Sequence, residues 1–525
     1  MVTFLDYGAG NVRSVINALK YLGEKIMFVK GPKDLQEAEV LVFPGVGAFG
    51  EMMKALNRMN LVEALREYLL SGKPFLGICL GLQALFEGSE ESPGVPGLGI
   101  FKGKVKRLKT ELSIPHIGWN GIKAKKESRL FHGLTGYEHF YFVHSYCVVP
   151  EDSNIILTTT DYGQEFVSSV EYNNIIATQF HPEKSGEVGL KVLKNFLNLK
   201  TNKVLPKHIP SSTSLTKRII SCLDVRNDDK GELVVTKGDQ YDVRDPQRKM
   251  VRNLGRPVEM ARKYFQEGAD EITFLNITGF RAFPLLDMPM LSVLRETSEN
   301  VFVPLTIGGG IRSYTDSNGK YYSALDVAYE YFRSGADKVS IGSDAVYIVE
   351  EVLERGPSGH SSIEEIAKVY GSQAVVISID PRRVYVSSPK ETKHFVIETR
   401  EHGPQNERFC WYQCTVKGGR EGRDIDAITL AKVCEALGAG EILLNCIDRD
   451  GTNKGFDIEL IQAVCENVSI PVIASSGAGS VEHFWEVFSL TEAEAALAAG
   501  VFHRRELTIT QVKEYLRGKV QVRIT

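Results

Sequence analysis

The feature that most constrains this 525-residue chain is that its C-terminal part resembles itself. Gly268-Ala-Asp-Glu-Ile-Thr-Phe-Leu-Asn-Ile-Thr recurs as Gly438-Ala-Gly-Glu-Ile-Leu-Leu-Asn-Cys-Ile-Asp, and Val303-Pro-Leu-Thr-Ile-Gly-Gly-Gly recurs as Ile470-Pro-Val-Ile-Ala-Ser-Ser-Gly. Ile219-Ile-Ser-Cys-Leu-Asp224 is echoed by Val375-Val-Ile-Ser-Ile-Asp380. Repeated strand-helix units bury their apolar faces only against one another. Eight such units over ~300 residues, built as two similar halves, predict a closed (β/α)8 TIM barrel, because closure leaves no strand edge unpaired.

Residues 1–199 also alternate short apolar runs with helical patterns, but without that symmetry, and predict an open α/β sheet. Between them, residues 200–216 hold two prolines and a Ser/Thr cluster with little periodicity, the composition of a linker, so the barrel is expected over 217–525. Lys+Arg number 62 against 66 Asp+Glu, a net charge of -4, which lacks the basic excess of a duplex-binding protein. No nucleic-acid or membrane partner is expected, since no apolar run approaches ~18 residues. Met1-Val-Thr-Phe has neither the basic nor the apolar region of a signal peptide, so a cytoplasmic protein is expected, or a plastid one whose transit segment was removed. The 8 cysteines are scattered as reduced thiols would be. Cys410 and Cys414 have no His or Cys pair at ligand spacing beside them, so neither metal nor cofactor is expected.

Phe75-Leu-Gly-Ile-Cys79-Leu-Gly81-Leu-Gln83 reads as a strand, a sharp glycine turn and a helix, which lifts the thiol onto a helix N-terminus where the dipole favours thiolate. A lone cysteine in such a place is more often a buried structural one. Here Thr178-Gln-Phe-His181-Pro-Glu183 sets an imidazole and a carboxylate at another strand end, the partners a nucleophilic thiol needs. Phe43-Pro-Gly45-Val46-Gly47 supplies glycines that can aim backbone N–H groups at an oxyanion beside the amide of Leu80; the plain alternative is an ordinary turn.

Barrel enzymes work at the C-terminal ends of their strands. Gly308-Gly-Gly310 and Gly342-Ser343 close strands three and four; Asp450-Gly451, Ser476-Gly477 and Ala499-Gly500 are assigned to strands six, seven and eight. Small residues there let backbone N–H groups reach phosphates, and two such sets across one mouth suit a ligand phosphorylated at both ends. Asp224 and Asp380 close strands one and five, on opposite sides, as a general acid and base would. Strand parity turns Arg218 inward with Asp224 but places it ~20 Å away, at the N-terminal mouth. By the same parity Lys338 and Glu441 face inward, and with Glu259, which precedes strand two, they form a ring of charge on the barrel floor. A purely structural salt-bridge plug accounts for that ring equally well.

Gly-Ile-Cys-Leu-Gly, Pro-Gly-Val-Gly, His116-Ile-Gly-Trp-Asn and His-Pro-Glu make residues 1–199 resemble a class I (triad) glutamine amidotransferase. The resemblance implies that Cys79 attacks the glutamine carboxamide, His181 protonates the departing ammonia and then activates water, Glu183 orients His181, and Gln83 contacts glutamine. Cys-Leu-Asp-Val, Val-Thr-Lys-Gly, Ile-Gly-Gly-Gly-Ile-Arg, Ile-Asp-Arg-Asp-Gly-Thr and Ala-Ser-Ser-Gly-Ala-Gly resemble the cyclase barrel of the imidazole glycerol phosphate synthase family, and the fusion resembles its single-chain form. This implies small-molecule substrates, glutamine and a bisphosphorylated ribonucleotide, with no obligate partner subunit. It further implies Asp224 and Asp380 as the acid/base pair, Lys237 on a closing loop, Arg218, Glu259, Lys338 and Glu441 as an ammonia gate, and Lys184 paired with Asp337 between the domains. Asn276 stands where the family pattern has aspartate, Gly342 and Gly500 replace phosphate-holding side chains, and 381–424 matches nothing in the pattern.

Two rival readings of the barrel are the related isomerase of the same pathway and a catalytically silent scaffold for the glutaminase. The first needs no ammonia and so no fused glutaminase; the second needs neither aspartate nor phosphate loops.

Overall fold

Along Val2–Phe4, Leu41–Gly45 and Phe75–Cys79 residues of both parities are apolar and buried, which only a sheet covered on two faces allows. In this computed structural model, which describes residues 1–199, 214–230, 232–236, 253–277 and 285–524, they are central strands of an eight-stranded sheet. Leu41, Phe43 and Phe75 pack into one core; Val42, Leu76 and Ile78 pack into the other. The sheet runs in the order Ile26–Phe28, Val2–Phe4, Leu41–Gly45, Phe75–Cys79, Ile175–Thr178, Glu165–Tyr172, Ile156–Asp161, Lys123–Ala124. Its first five members are parallel and the remainder antiparallel. Most of the expected linker, residues 200–213, lies outside the described residues, as does Lys237.

The second sheet closes. Its eight parallel strands are Arg218–Asn227, Glu271–Asn276, Leu305–Gly308, Lys338–Ile341, Val375–Ile379, Glu441–Asn445, Val472–Ser475 and Ala495–Ala498. The last pairs with the first, Arg218 opposite Ala495 and Ser221 opposite Ala498. Inward parity holds as expected: Ile220, Cys222, Val376, Leu443, Ile473, Ala495 and Leu497 form a small core inside the bore, while the larger core lies between the strands and their helices. The first strand runs on past Asp224 into an antiparallel hairpin with Leu233–Thr236. The stretch after strand five is a small antiparallel sheet of Pro381–Val386, Val396–Glu398, Phe409–Val416 and Glu421–Asp426.

The open sheet docks on the N-terminal end of the barrel. Ile117, Trp119 and Tyr141 belong to the barrel's outer core, and the Trp119 indole donates to the Asp270 carbonyl at 3.1 Å. Arg333 holds Asp6 through two bonds of 3.0 and 2.7 Å, and Ala48 N–H donates to the Val369 carbonyl at 3.1 Å. The expected Lys184–Asp337 pair is present at 2.7 Å, with Lys184 buried. Asp337 also accepts from Asn11 at 2.7 Å and from the Leu305 N–H at 2.8 Å, so both of its oxygens are used.

Candidate active site

Parallel register brings Gly45 opposite Cys79 and Thr178 opposite Ile78, so the three strand ends carrying the expected oxyanion glycines, the thiol and the imidazole converge. Cys79 has φ +53°, a left-handed conformation rare for a side chain of its type. The turn is that tight because of its glycines: a Cβ on Gly81 would lie 2.0 Å from the Phe43 carbonyl oxygen, and one on Gly77 2.7 Å from that of Gly81. His181 Nδ1 and Glu183 Oε1 are 2.8 Å apart, both groups buried, while His181 Nε2 has no hydrogen-bond partner among the described residues. Burial opposes charge on the ring, but Glu183 and then Cys79 outweigh it, and the imidazole is pushed up to about 10. Gln83 is buried and donates to the Tyr146 carbonyl at 3.1 Å and to Gln179 Oε1 at 3.3 Å. Gln179 donates in turn to Cys79 Sγ at 3.4 Å. Gln179 escaped the sequence reading, although it sits in the same Thr-Gln-Phe-His run as His181.

Gly45 and Gly47 flank Val46, whose carbonyl accepts from Tyr7 OH at 2.8 Å. A Cβ on Gly47 would lie 3.0 Å from the Val369 carbonyl oxygen, so this strand is wedged against the barrel unit.

The charge ring on the barrel floor exists, with one member corrected. Arg218 bonds Glu271 at 3.0 Å and Glu441 at 2.5 Å, and Lys338 bonds Glu271 at 2.8 Å and Glu441 at 2.5 Å, all four being essentially without solvent exposure. Glu259 is not among them: it is exposed in the first turn of the outer helix Pro257–Gln266. Glu271 opens strand two and points inward, its Oε1 also accepting from Thr306 at 2.6 Å. The repeat already held this answer, since it aligns Glu271 with Glu441. Glu441 and Glu271 overcome the burial penalty and hold the Arg218 guanidinium above its ordinary range; Arg218 and Lys338 do the reverse for Glu441.

At the opposite mouth Asp380 directly follows strand five and its Oδ1 accepts from Asn445 at 2.8 Å. Asp224 lies within strand one, 9% exposed, across the hairpin from Thr236. Gly310 follows strand three in a left-handed turn, Gly342 caps the helix Ser343–Arg355, and Ala499 caps the short helix Gly500–His503. Ser343 Oγ is engaged by the Lys417 N–H at 3.0 Å. Gly477 packs on the Gly455 carbonyl oxygen, 2.1 Å from where a Cβ would stand. Asp450 and Gly451 do not directly close strand six, which ends at Asn445; a turn of 3₁₀ helix, Ile447–Arg449, intervenes. No group of three or more His, Cys, Asp or Glu that could hold a metal occurs among the described residues.

Comparison with known proteins adds two matches. The family described as glutamine amidotransferase class-I matches residues 3–199, and that described as histidine biosynthesis protein matches residues 218–508. The chain is 57% identical over 531 residues to imidazole glycerol phosphate synthase hisHF, chloroplastic, of Arabidopsis thaliana, covering 100% of this chain and 90% of that one. It is 55% identical over 532 residues to imidazole glycerol phosphate synthase hisHF of Schizosaccharomyces pombe, covering 98% of each. Its N-terminal part is 54% identical over 193 residues to imidazole glycerol phosphate synthase subunit HisH of Aquifex aeolicus, covering 37% of this chain and 93% of that one.

Proposed function

Because this chain belongs to the imidazole glycerol phosphate synthase hisHF family, we propose the following division of labour for its residues. The enzyme is a glutamine amidotransferase joined to a cyclase, both activities in one chain, and it acts in histidine biosynthesis. The working units are 1–199 and 217–525 with 200–216 between them, a reading supported by family matches that end at 199 and begin at 218.

Cys79 Sγ attacks the glutamine carboxamide carbon as thiolate, with His181 holding the proton. Backbone N–H groups of Leu80 and the Gly45–Gly47 strand receive the oxyanion, His181 gives its proton to the leaving nitrogen, and ammonia departs. Water deprotonated by His181 then attacks the thioester, the Cys79–acyl bond breaks, and glutamate leaves. Glu183 keeps Nδ1 protonated so that Nε2 faces the thiol. Gln83 acts through Gln179 on the thiol side of the site.

Ammonia then enters the bore past Arg218, Glu271, Lys338 and Glu441. At the far mouth it meets phosphoribulosyl-formimino aminoimidazole-carboxamide ribonucleotide, held by its phosphates at Gly310, Gly342 and Ser343 on one side and at Asp450, Gly451, Gly477, Ala499 and Gly500 on the other, with Lys237 closing over it. Asp224 and Asp380 move protons as the imidazole ring closes. The products are imidazole glycerol phosphate and the aminoimidazole-carboxamide ribotide. We place the enzyme in the cytoplasm or a plastid; the Arabidopsis relative is named chloroplastic and the fission-yeast one is not.

The observation that carries this reading is alignment: the triad sits on the sheet that docks against the N-terminal end of the bore, and the two aspartates stand at the other end of the same strands. Turnover of amide-labelled ¹⁵N-glutamine with the bisphosphate in unlabelled ammonium tests it. Undiluted label in the imidazole is expected, and dilution to the bulk ratio rejects the internal route.

A further inference from the structure

The small sheet after strand five lies beside that mouth, and it touches both substrate-facing sides. We propose that this sheet is a strut setting the distance between Asp380 and the loop after strand six, with Arg383 as its positioning residue; the proposal rests on the cyclase reading above. Arg383 N–H donates to Asp448 Oδ2 at 2.7 Å. Its side chain, 3% exposed, donates to Asp457 Oδ2 through Nη2 at 2.6 Å and Nε at 3.1 Å, and to Glu401 through Nη1 at 2.7 Å. Asp448 and Asp457 bracket Asp450 and Gly451 in sequence, so a single residue grips the loop on both sides of its substrate-facing part.

The partners reinforce that grip. Asp457 also accepts from Tyr412 OH at 2.8 Å and caps the helix Ile458–Cys465, and Arg449 joins the same cluster through Glu401 at 2.9 Å. Along the neighbouring strand, Thr415 donates to the Asp380 carbonyl through Oγ1 at 2.6 Å and through its N–H at 3.2 Å, and the next contact is Lys417 N–H to Ser343 Oγ. The sheet therefore ties the Asp380 backbone, the helix start at Ser343 and the strand-six loop into one rigid piece. A buried arginine-aspartate pair adds little net stability, because desolvation offsets its attraction. What a planar fork with fixed donor directions adds is geometry.

The test uses the full chain with ammonium as nitrogen donor and the bisphosphate varied. Arg383→Met is expected to raise KM for the bisphosphate about tenfold, with kcat changed by less than about threefold, the signature of binding lost equally in ground and transition state. Amide hydrogen exchange across residues 446–457 accelerates with it, and Arg383→Lys recovers part of the KM. Lys393→Ala, which removes an exposed pair with Asp424 on the same sheet, leaves KM unchanged. A folded Arg383→Met with unaltered KM and exchange, or with a kcat loss at constant KM, overturns the proposal. Should that variant fail to fold, Tyr412→Phe decides: a smaller KM rise in the same direction supports the strut and an unchanged KM rejects it. A wild-type enzyme that does not turn over the bisphosphate rejects the cyclase reading, whereas the exchange of 446–457 still judges Arg383.

Discussion

Two buried ionic clusters, the triad and the floor ring, are finished to different degrees. In the floor ring nearly every polar atom of Arg218, Glu271, Lys338 and Glu441 has a partner, the exception being Arg218 Nε. In the triad His181 Nε2 and Glu183 Oε2 are both left over, beside a thiol in a strained turn. Near-complete pairing gives a plug that keeps its shape and its charge; a ring nitrogen left without a full hydrogen bond beside a thiol can take up and give back a proton. The contrast separates a group that holds a passage from one that does chemistry.

The largest expected effect is at the incomplete cluster. Cys79→Ala lowers glutamine hydrolysis by at least about 10⁴-fold, while ammonium-driven cyclisation stays within about twofold of wild type. An assay of glutamate release beside one of imidazole formation reads both, and equal glutamine-driven turnover in the variant removes the thiol from the mechanism. At the complete cluster the expected loss is stability. Glu271→Gln strands Arg218 and Lys338 with excess buried charge and destabilises the chain by about 3–5 kcal/mol, as denaturant titration measures. Glu259→Gln, on the exposed helix turn, stays within about 0.5 kcal/mol. Equal effects of the two would mean that the ring tolerates an unpaired charge.

The remaining effects are in pH. His144 is buried among rings and, with burial as the main cause, is pushed down to about 4. Its unfolded value is near 6.5, so between those limits the unfolded state binds more protons and stability rises with pH, falling on acidification from about 6.5 to 4. His181 has the opposite sign: its contribution is complete below about 6.5 and is lost as pH climbs through about 10. The floor ring, with Glu441 held low and Arg218 held high, adds no slope between. Melting temperatures at pH 5, 7 and 9 for wild type and His144→Gln check this; an identical acid slope in both would clear His144.

Legibility in the sequence followed locality. Cys79, Gly81 and the His181–Glu183 pair sit in short runs whose spacing alone dictates a turn or a shared strand end, so they could be read directly. Arg218, Lys338 and Glu441 followed from strand parity, which is as regular as the backbone itself. Glu259 failed where parity was not applied, because a residue ahead of a strand says nothing about which face it takes. Gln179 and Thr415 act through neighbours distant in sequence, and only the folded chain brings them together. The stretch 381–424 has no repeat and no barrel analogue, so its antiparallel pairing, with an irregular register beside Thr415, left no periodic trace to find.

The elbow at Cys79 has an evolutionary corollary. Left-handed backbone at a residue bearing a side chain costs on the order of 1–3 kcal/mol, and glycine adopts it freely. A descendant of this chain released from glutamine hydrolysis would melt higher with glycine at position 79, so drift toward glycine there would be a fossil of lost catalysis, readable in sequence long before the fold changed.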